Sequence, residues 1–370
     1  MQASSSTSNS EVKHQSSRGV GKFFRTVLIL LVTLIVFDQM VGLALHWMYF
    51  HAKSGPFAET TYTFTKMNSD GIILGSSRGR RNYNPNILAD SLGISVYNAG
   101  HDGQTIFYEQ AIIRMAMARY TPKLVVLDLN PEEMYYKDVH YDRLNVLAPY
   151  YKDYSEVRSI YLLKGIRDGT AEGDDFFVKP GKIADDSWNN FWFRLHSMEA
   201  WVLPLNTERY KMFSAIYPYN STLLDILTAL FKNRKSESGF KPLKGKITQE
   251  KADELIRENA KLRNTPGKVV DPNKLKGLEE VISTVTSKGG HVLVVMSPAL
   301  APFGMEPSYQ AVEDICAKYQ VPFKDYSQDA NYANLDLFFD NHMNIDGANM
   351  YSSNLAHDIK TQYFPEAFKK

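Results

Sequence analysis

The sequence is poorest in cysteine, with one in 370 residues, Cys316. That excludes an internal disulfide and any metal centre built on several thiolates. Set in the helically spaced YQAVEDICAKY, the lone thiol reads as a small buried hydrophobe. An excess of charge of either sign is also missing: 42 Lys and Arg face 41 Asp and Glu, and the formal net charge is +1. The one compact basic run is RGRR, residues 78–81, so no basic face fit for nucleic acid is expected. Internal repeats are absent. Tryptophan is scarce, and three of its four copies fall between residues 131 and 265. What the chain does have is apolar content, 44% of all residues, enough to bury a large core.

Part of that content is concentrated near the N-terminus. Residues 1–22 are rich in Ser and Thr and read as a disordered cytoplasmic tail. They lead into FFRTVLILLVTLIVFDQMVGLALHWMYF, residues 23–50, which is long enough to cross a bilayer. Lys13, Arg18, Lys22 and Arg25 precede the apolar run and only Lys53 follows closely, which puts the N-terminus inside and the bulk of the chain outside the cytoplasm. A cleaved signal peptide is the alternative. No small-x-small site follows the apolar run, and Trp47 with Tyr49 resembles an interfacial belt, so an uncleaved single-pass anchor in the plasma (inner) membrane is expected. Asp38 inside it reads either as a contact for a membrane partner or as a hydrated group near the interface.

After a polar linker, 51–68, short apolar runs alternate with helical spacing over residues 69–370. DGIILG, SVYNAG and KLVVLDLN read as strands, with TIFYEQAIIRMAMARY a helix between the last two. Much later the pattern resumes with KLKGLEEVISTVTSKGG, HVLVVMSP, YQAVEDICAKYQ, VPFKDYS and IDGANMYSSNLAHDIKTQY. Such alternation implies βαβ units and a parallel sheet. The intervening stretch, about 131–265, is aromatic and mostly helical in pattern. It reads as an insertion over the sheet's active edge that reaches toward the membrane surface, or else as ordinary core.

Candidate chemistry begins where the first strand ends. Gly75-Ser76-Ser77-Arg78-Gly79 fits the G-x-S-x-G turn that exposes a serine hydroxyl at the head of a helix. An α/β-hydrolase serine follows several strands, whereas this one follows the first. Near the C-terminus FFDNHMNIDGA places Asp340 and His342 just before the closing helix. Serine needs a histidine to take its proton, and the histidine needs a carboxylate to orient it. Ser77, His342 and Asp340 supply those parts, with Asp336 a substitute acid and a Ser-His dyad the third option. The Ser77 and Gly100 N–H groups and the Asn130 side-chain amide are expected to hold an oxyanion. Ser76 reads as a helix cap. Arg78, Arg80 and Arg81 read either as a solvated helical turn or as a grip on an anionic substrate, with Arg78 and Arg81 the expected contacts. DVHYD, residues 138–142, has metal-like spacing without a second histidine cluster, and no metal or other cofactor is expected.

Four blocks in order give the chain a resemblance to the SGNH (GDSL-like) hydrolase superfamily: GSS with Ser77, NAGHDG with Gly100, DLN with Asn130 and DNH with His342. The resemblance covers roughly residues 70–130 and 265–365. It implies a flavodoxin-like three-layer α/β/α sandwich with a serine esterase or acyl-transfer site at the strands' C-terminal edge. The anchor and the GSSR variant look most like envelope members that add or remove acyl groups on cell-surface polymers beside a multipass O-acyltransferase. The expected substrate is therefore an envelope glycan or acylated polymer. Three departures stand out: Ser76 in place of an aspartate, Asp-x-His in place of Asp-x-x-His, and Asp128 with Pro131 around Asn130. The shortened spacing favours a second reading, a non-catalytic binding or assembly subunit on the same scaffold. A third is a phosphate-binding module built on GSSRGRR.

Overall fold

The computed structural model describes residues 9–165, 207–229, 238–263, 267–300 and 307–368. Five strands form one sheet: β1 (Gly71–Gly75), β2 (Val96–Asn98), β3 (Leu124–Asp128), β4 (His291–Met296) and β5 (Phe323–Asp325). All pairings are parallel, in the order β2-β1-β3-β4-β5. β1 and β3 are buried along their whole length, as strands covered on both faces are, and their sequences are correspondingly near-continuous in Ile, Leu and Val. Alternate residues serve different clusters: Ile72, Leu74, Val125 and Leu127 on one face, Ile73, Leu124 and Val126 on the other. Each such side chain removed from water contributes about 1.5–3 kcal/mol.

The first face is covered by α5 (Ile106–Met117) and α7 (Pro272–Thr286), and the second by α4 (Pro85–Leu92) and α9 (Ile345–Asp358). The alternation of strand and helix read from the sequence is therefore present, α8 (Pro307–Lys318) with buried Cys316 included. Two further strands, β6 (Phe338–Phe339) and β7 (His342–Met343), pair antiparallel in a hairpin that the sequence pattern did not reveal.

Several expectations need correction. Helix α1 runs from Asn9 to His51, so the region expected to be a disordered tail is helical from Asn9 onward. Its stretch Gly19–His51 is long and apolar enough to cross a membrane. The expected linker contains α2 (Pro56–Thr65), which buries Phe57 and Phe64 in the core. Of the expected insertion, SWNNFWFRLHSMEAWVLP (187–204) lies outside the described residues. The described remainder includes α6 (Ser155–Leu162) and the helix Gln249–Arg263. Leu147, Tyr150, Val157, Ile160 and Tyr161 belong to the main core, so the ordinary-core reading applies to that part.

In this strand order β1 and β3 are neighbours, while the chain leaves them in opposite directions, to β2 and to β4. A crevice opens at such a reversal beyond the strands' C-terminal ends. Gly75 pairs with Asp128 there.

Candidate active site

The turn that carries Ser77 is shaped by close packing at the end of β1. Gly75 has φ +140°, and a Cβ on it would lie 2.8 Å from the Asp128 carbonyl oxygen, so no other residue fits without strain. The next residues start the short helix α3 (Ser77–Asn82). Ser76 occupies the N-cap position without making a side-chain cap bond. Its hydroxyl bonds Glu133 instead, which corrects the cap reading.

α3 is held by side chains from both neighbouring strand ends. Asn98 donates through Nδ2 to the Gly79 carbonyl (2.8 Å) and the Tyr83 carbonyl (3.0 Å). Asn82 donates to Ser297 Oγ (2.9 Å) and accepts from the Met343 N–H (3.1 Å), which ties α3 to β7. That tie brings two residues 265 positions apart together: His342 Nε2 lies 2.7 Å from Ser77 Oγ. Sequence reading missed Asn82 and Asn98, because an asparagine that joins two loops has no periodicity to betray it.

The rest of the expected triad is arranged differently. His342 Nδ1 is buried with no hydrogen-bond partner. Asp340 is exposed on the two-residue loop between β6 and β7, with φ +58°, a conformation that Asp tolerates better than most residues. It makes no hydrogen bond to the ring and acts on it only through its charge. Asp336 pairs with Lys246 at 3.0 Å and does not reach the ring either. The geometry is a Ser-His dyad. Burial, with the Arg81 guanidinium next in importance, lowers the His342 pKa to about 4 against the opposing pull of Asp340. The cap of α9 is Asn344, whose Oδ1 accepts from the Gly347 N–H, so His342 is free of that duty.

The expected oxyanion donors fare unequally. The Gly100 N–H donates to Asn98 Oδ1 at 3.0 Å, which removes it from that role. Gly100 has a different requirement: a Cβ there would sit 2.4 Å from the Arg80 nitrogen, so glycine lets the loop lie against α3. Asn130 accepts from the Glu132 N–H at 3.0 Å and so starts the turn Pro131–Met134. That bond uses its Oδ1. Ser77 opens α3, where backbone N–H groups have no intrahelical acceptor.

Arg78, expected to meet substrate, is buried. Its guanidinium donates to the Ser297 carbonyl and hydroxyl and lies 3.8 Å from Asp128, which in turn accepts from Ser297 Oγ at 2.6 Å. It is an internal brace between the ends of β3 and β4. Arg80 is also buried, paired with Glu59 and, at 3.2 Å, with Asp102. Arg81 shares Asp102 at 3.0 Å and stays part-exposed, so of the three it alone keeps a face toward solvent. Behind the turn, Glu133 Oε2 and both oxygens of Glu109 are buried without hydrogen-bond partners. Burial raises Glu133 to about 7 and Glu109 well above the usual carboxylate range. In DVHYD, His140 Nδ1 is 2.5 Å from the buried Lys274 ammonium. No group of three or more metal-binding side chains occurs among the described residues. A surface hollow of about 490 Å³ lined in part by Tyr326, Tyr332 and His357 contains neither Ser77 nor His342.

Comparison with the models of known protein families gave no match, and comparison with the curated proteins gave none.

Proposed function

We propose that the protein is a membrane-anchored serine esterase or O-acyltransferase of SGNH type, acting outside the cytoplasm on acyl groups of an envelope glycan or polymer. In this reading the sheet and its two helical coverings are a flavodoxin-like three-layer sandwich, and α1 holds it at the plasma membrane, in reach of a multipass O-acyltransferase. The observation that carries the proposal is the 2.7 Å contact between Ser77 Oγ and His342 Nε2. Ser77 Oγ attacks the acyl carbonyl as its proton passes to Nε2, and the Ser77 N–H and Asn130 Nδ2 steady the oxyanion. Collapse of the tetrahedral intermediate breaks the ester C–O bond and returns the proton to the departing alkoxide. A second acceptor then attacks the acyl-serine as His342 takes its proton, and His342 returns that proton to Ser77 Oγ as the Oγ–acyl bond breaks. Water makes the reaction a deacylation and a sugar hydroxyl makes it a transfer.

The full-length protein in detergent, treated with an aryl acetate and a serine-directed fluorophosphonate, tests this. Labelling and acetate release are expected, both lost in Ser77→Ala and His342→Ala. Absence of labelling in the folded, unaltered protein would refute it. That outcome would favour the non-catalytic binding subunit, a reading supported by the unpartnered His342 Nδ1 and by the committed Gly100 N–H.

A further inference from the structure

The contacts of α1 point to a second place where the protein meets the membrane. Asp38 lies within the apolar helix, yet its carboxylate is engaged by another part of the chain as well as by Gln39 Nε2 at 3.0 Å. It accepts from Ser214 Oγ (2.6 Å), the Ala215 N–H (2.7 Å) and the Ile216 N–H (3.5 Å). One residue on, Gln39 Nε2 donates to the Phe213 carbonyl at 3.4 Å. A turn further, Gly42 lies so close to Ala215 that a Cβ on it would be 2.2 Å from the Ala215 Cβ. Higher up, His46 Nδ1 meets the Tyr219 hydroxyl at 2.9 Å. The turn at Phe213–Ile216 therefore reaches down the side of α1 to Asp38 and the chain climbs back to His46. The reading of Asp38 as a contact for a membrane partner gives way to this internal role.

The depth of the turn follows from helix geometry. Asp38 precedes Trp47 by nine residues, about 13 Å along the axis at 1.5 Å per residue. With Trp47 at headgroup level, the turn is within the outer leaflet. Backbone N–H groups at that depth must be satisfied internally, and the Asp38 carboxylate does so. Lys152 Nζ donates to the Ser214 carbonyl at 3.5 Å, a further internal partner for the backbone of the turn. Apolar side chains of this segment are bare: Phe213 at the turn is 75% exposed and Leu224 77%, with Leu223 and Leu227 of the helix Leu223–Ala229, which packs against α1, also exposed. Met40 and Leu43 of α1 are exposed as well. Elsewhere on a water-facing surface such a group would be costly.

We infer that the turn Phe213–Ile216 and the apolar face of the helix Leu223–Ala229 form a lipid-contacting wedge, immersed beside α1 in the outer leaflet, so that the membrane holds the domain at two elements rather than one. This rests on the reading of α1 as a bilayer span. Nitroxide labels on single cysteines tell the two apart: Phe213→Cys, Leu224→Cys, Leu31→Cys in α1 and Glu250→Cys as a water control, all in the full chain with Cys316→Ala. The protein is reconstituted in phosphatidylcholine vesicles, and collision with oxygen is compared with collision with a water-soluble nickel chelate. Labels at 213 and 224 should match that at 31, favouring oxygen several-fold over the control. Oxygen preference at 31 with nickel access at 213 and 224 would overturn the wedge alone. Nickel access at 31 would overturn the span and the wedge with it. Protection of 213 and 224 from both reagents would mean that protein, not lipid, covers them, and would also overturn it.

Discussion

His342 has one ring nitrogen engaged by Ser77 and the other unpartnered, and on the proposed reading this shapes what single substitutions should do. In a triad, amidation of the orienting acid costs about 10⁴-fold in kcat. Asp340 makes no bond to the ring, so Asp340→Asn is expected to keep aryl-acetate turnover within about tenfold of the unaltered protein, while His342→Gln removes it. A loss of triad size in Asp340→Asn would show that the loop swings in during catalysis. The pH profile follows from the same environment. With its pKa lowered to about 4, the imidazole stays neutral and able to accept a proton until the pH falls through that value. The acid limb of kcat/KM is therefore expected near pH 4 rather than near 6.5. Arg81→Gln removes a neighbouring cation and should move that limb upward, measured as kcat/KM against pH.

Elements explain which parts of the site could be read from sequence. β1, β3 and β4 were legible because strands buried on both faces need unbroken apolar runs, and Ser77 because a glycine turn marks where such a run stops. His342 was legible from its turn-like surroundings. Asp340 misled, because adjacency in sequence does not show that it sits on the exposed two-residue loop that turns the chain from β6 into β7. Gly100 misled for a different reason: the acceptor that takes its N–H is the side chain of Asn98, two residues away, and such local bonds leave no periodic trace. α2 was hidden by its threonines, poor helix formers that here bond back to carbonyls four residues earlier, as Thr60 does to Pro56 and Thr63 to Glu59. The packing of α3 gives a direct test. Gly100→Ala drives a Cβ into the Arg80 backbone, and a loss of about 1–3 kcal/mol is expected in denaturant unfolding. An unchanged midpoint would show that the loop shifts without cost.

For the molecule as a whole, the buried carboxyls behind the serine turn should set the pH dependence of stability. Glu133 is raised to about 7 in the folded protein from an ordinary value of 4.5. Folding therefore holds a proton that the unfolded chain releases, and this contribution is complete below the unfolded value and lost as pH rises through the folded one. Glu133→Gln has no such proton to lose. Its Tm advantage over the unaltered protein is expected to grow from about pH 5 to about pH 8 in thermal scans in detergent. His342 and His140, both lowered, act in the opposite direction in both proteins and cancel in the difference. An advantage that stays constant with pH would mean that Glu133 is ionised throughout.

The grip of Asp38 on the Ser214–Ile216 turn has a mechanical meaning as well. A domain hung from a flexible leader sweeps a wide volume and meets its reactants by swinging. Here the last turns of α1, with Leu45 and Tyr49 buried in the core, act as a mast built into the deck. On the proposed membrane-anchored reading, Ser77 would stand at one height and one orientation over the bilayer, and a reactant would have to arrive at that altitude, delivered along the surface instead of searched for in space.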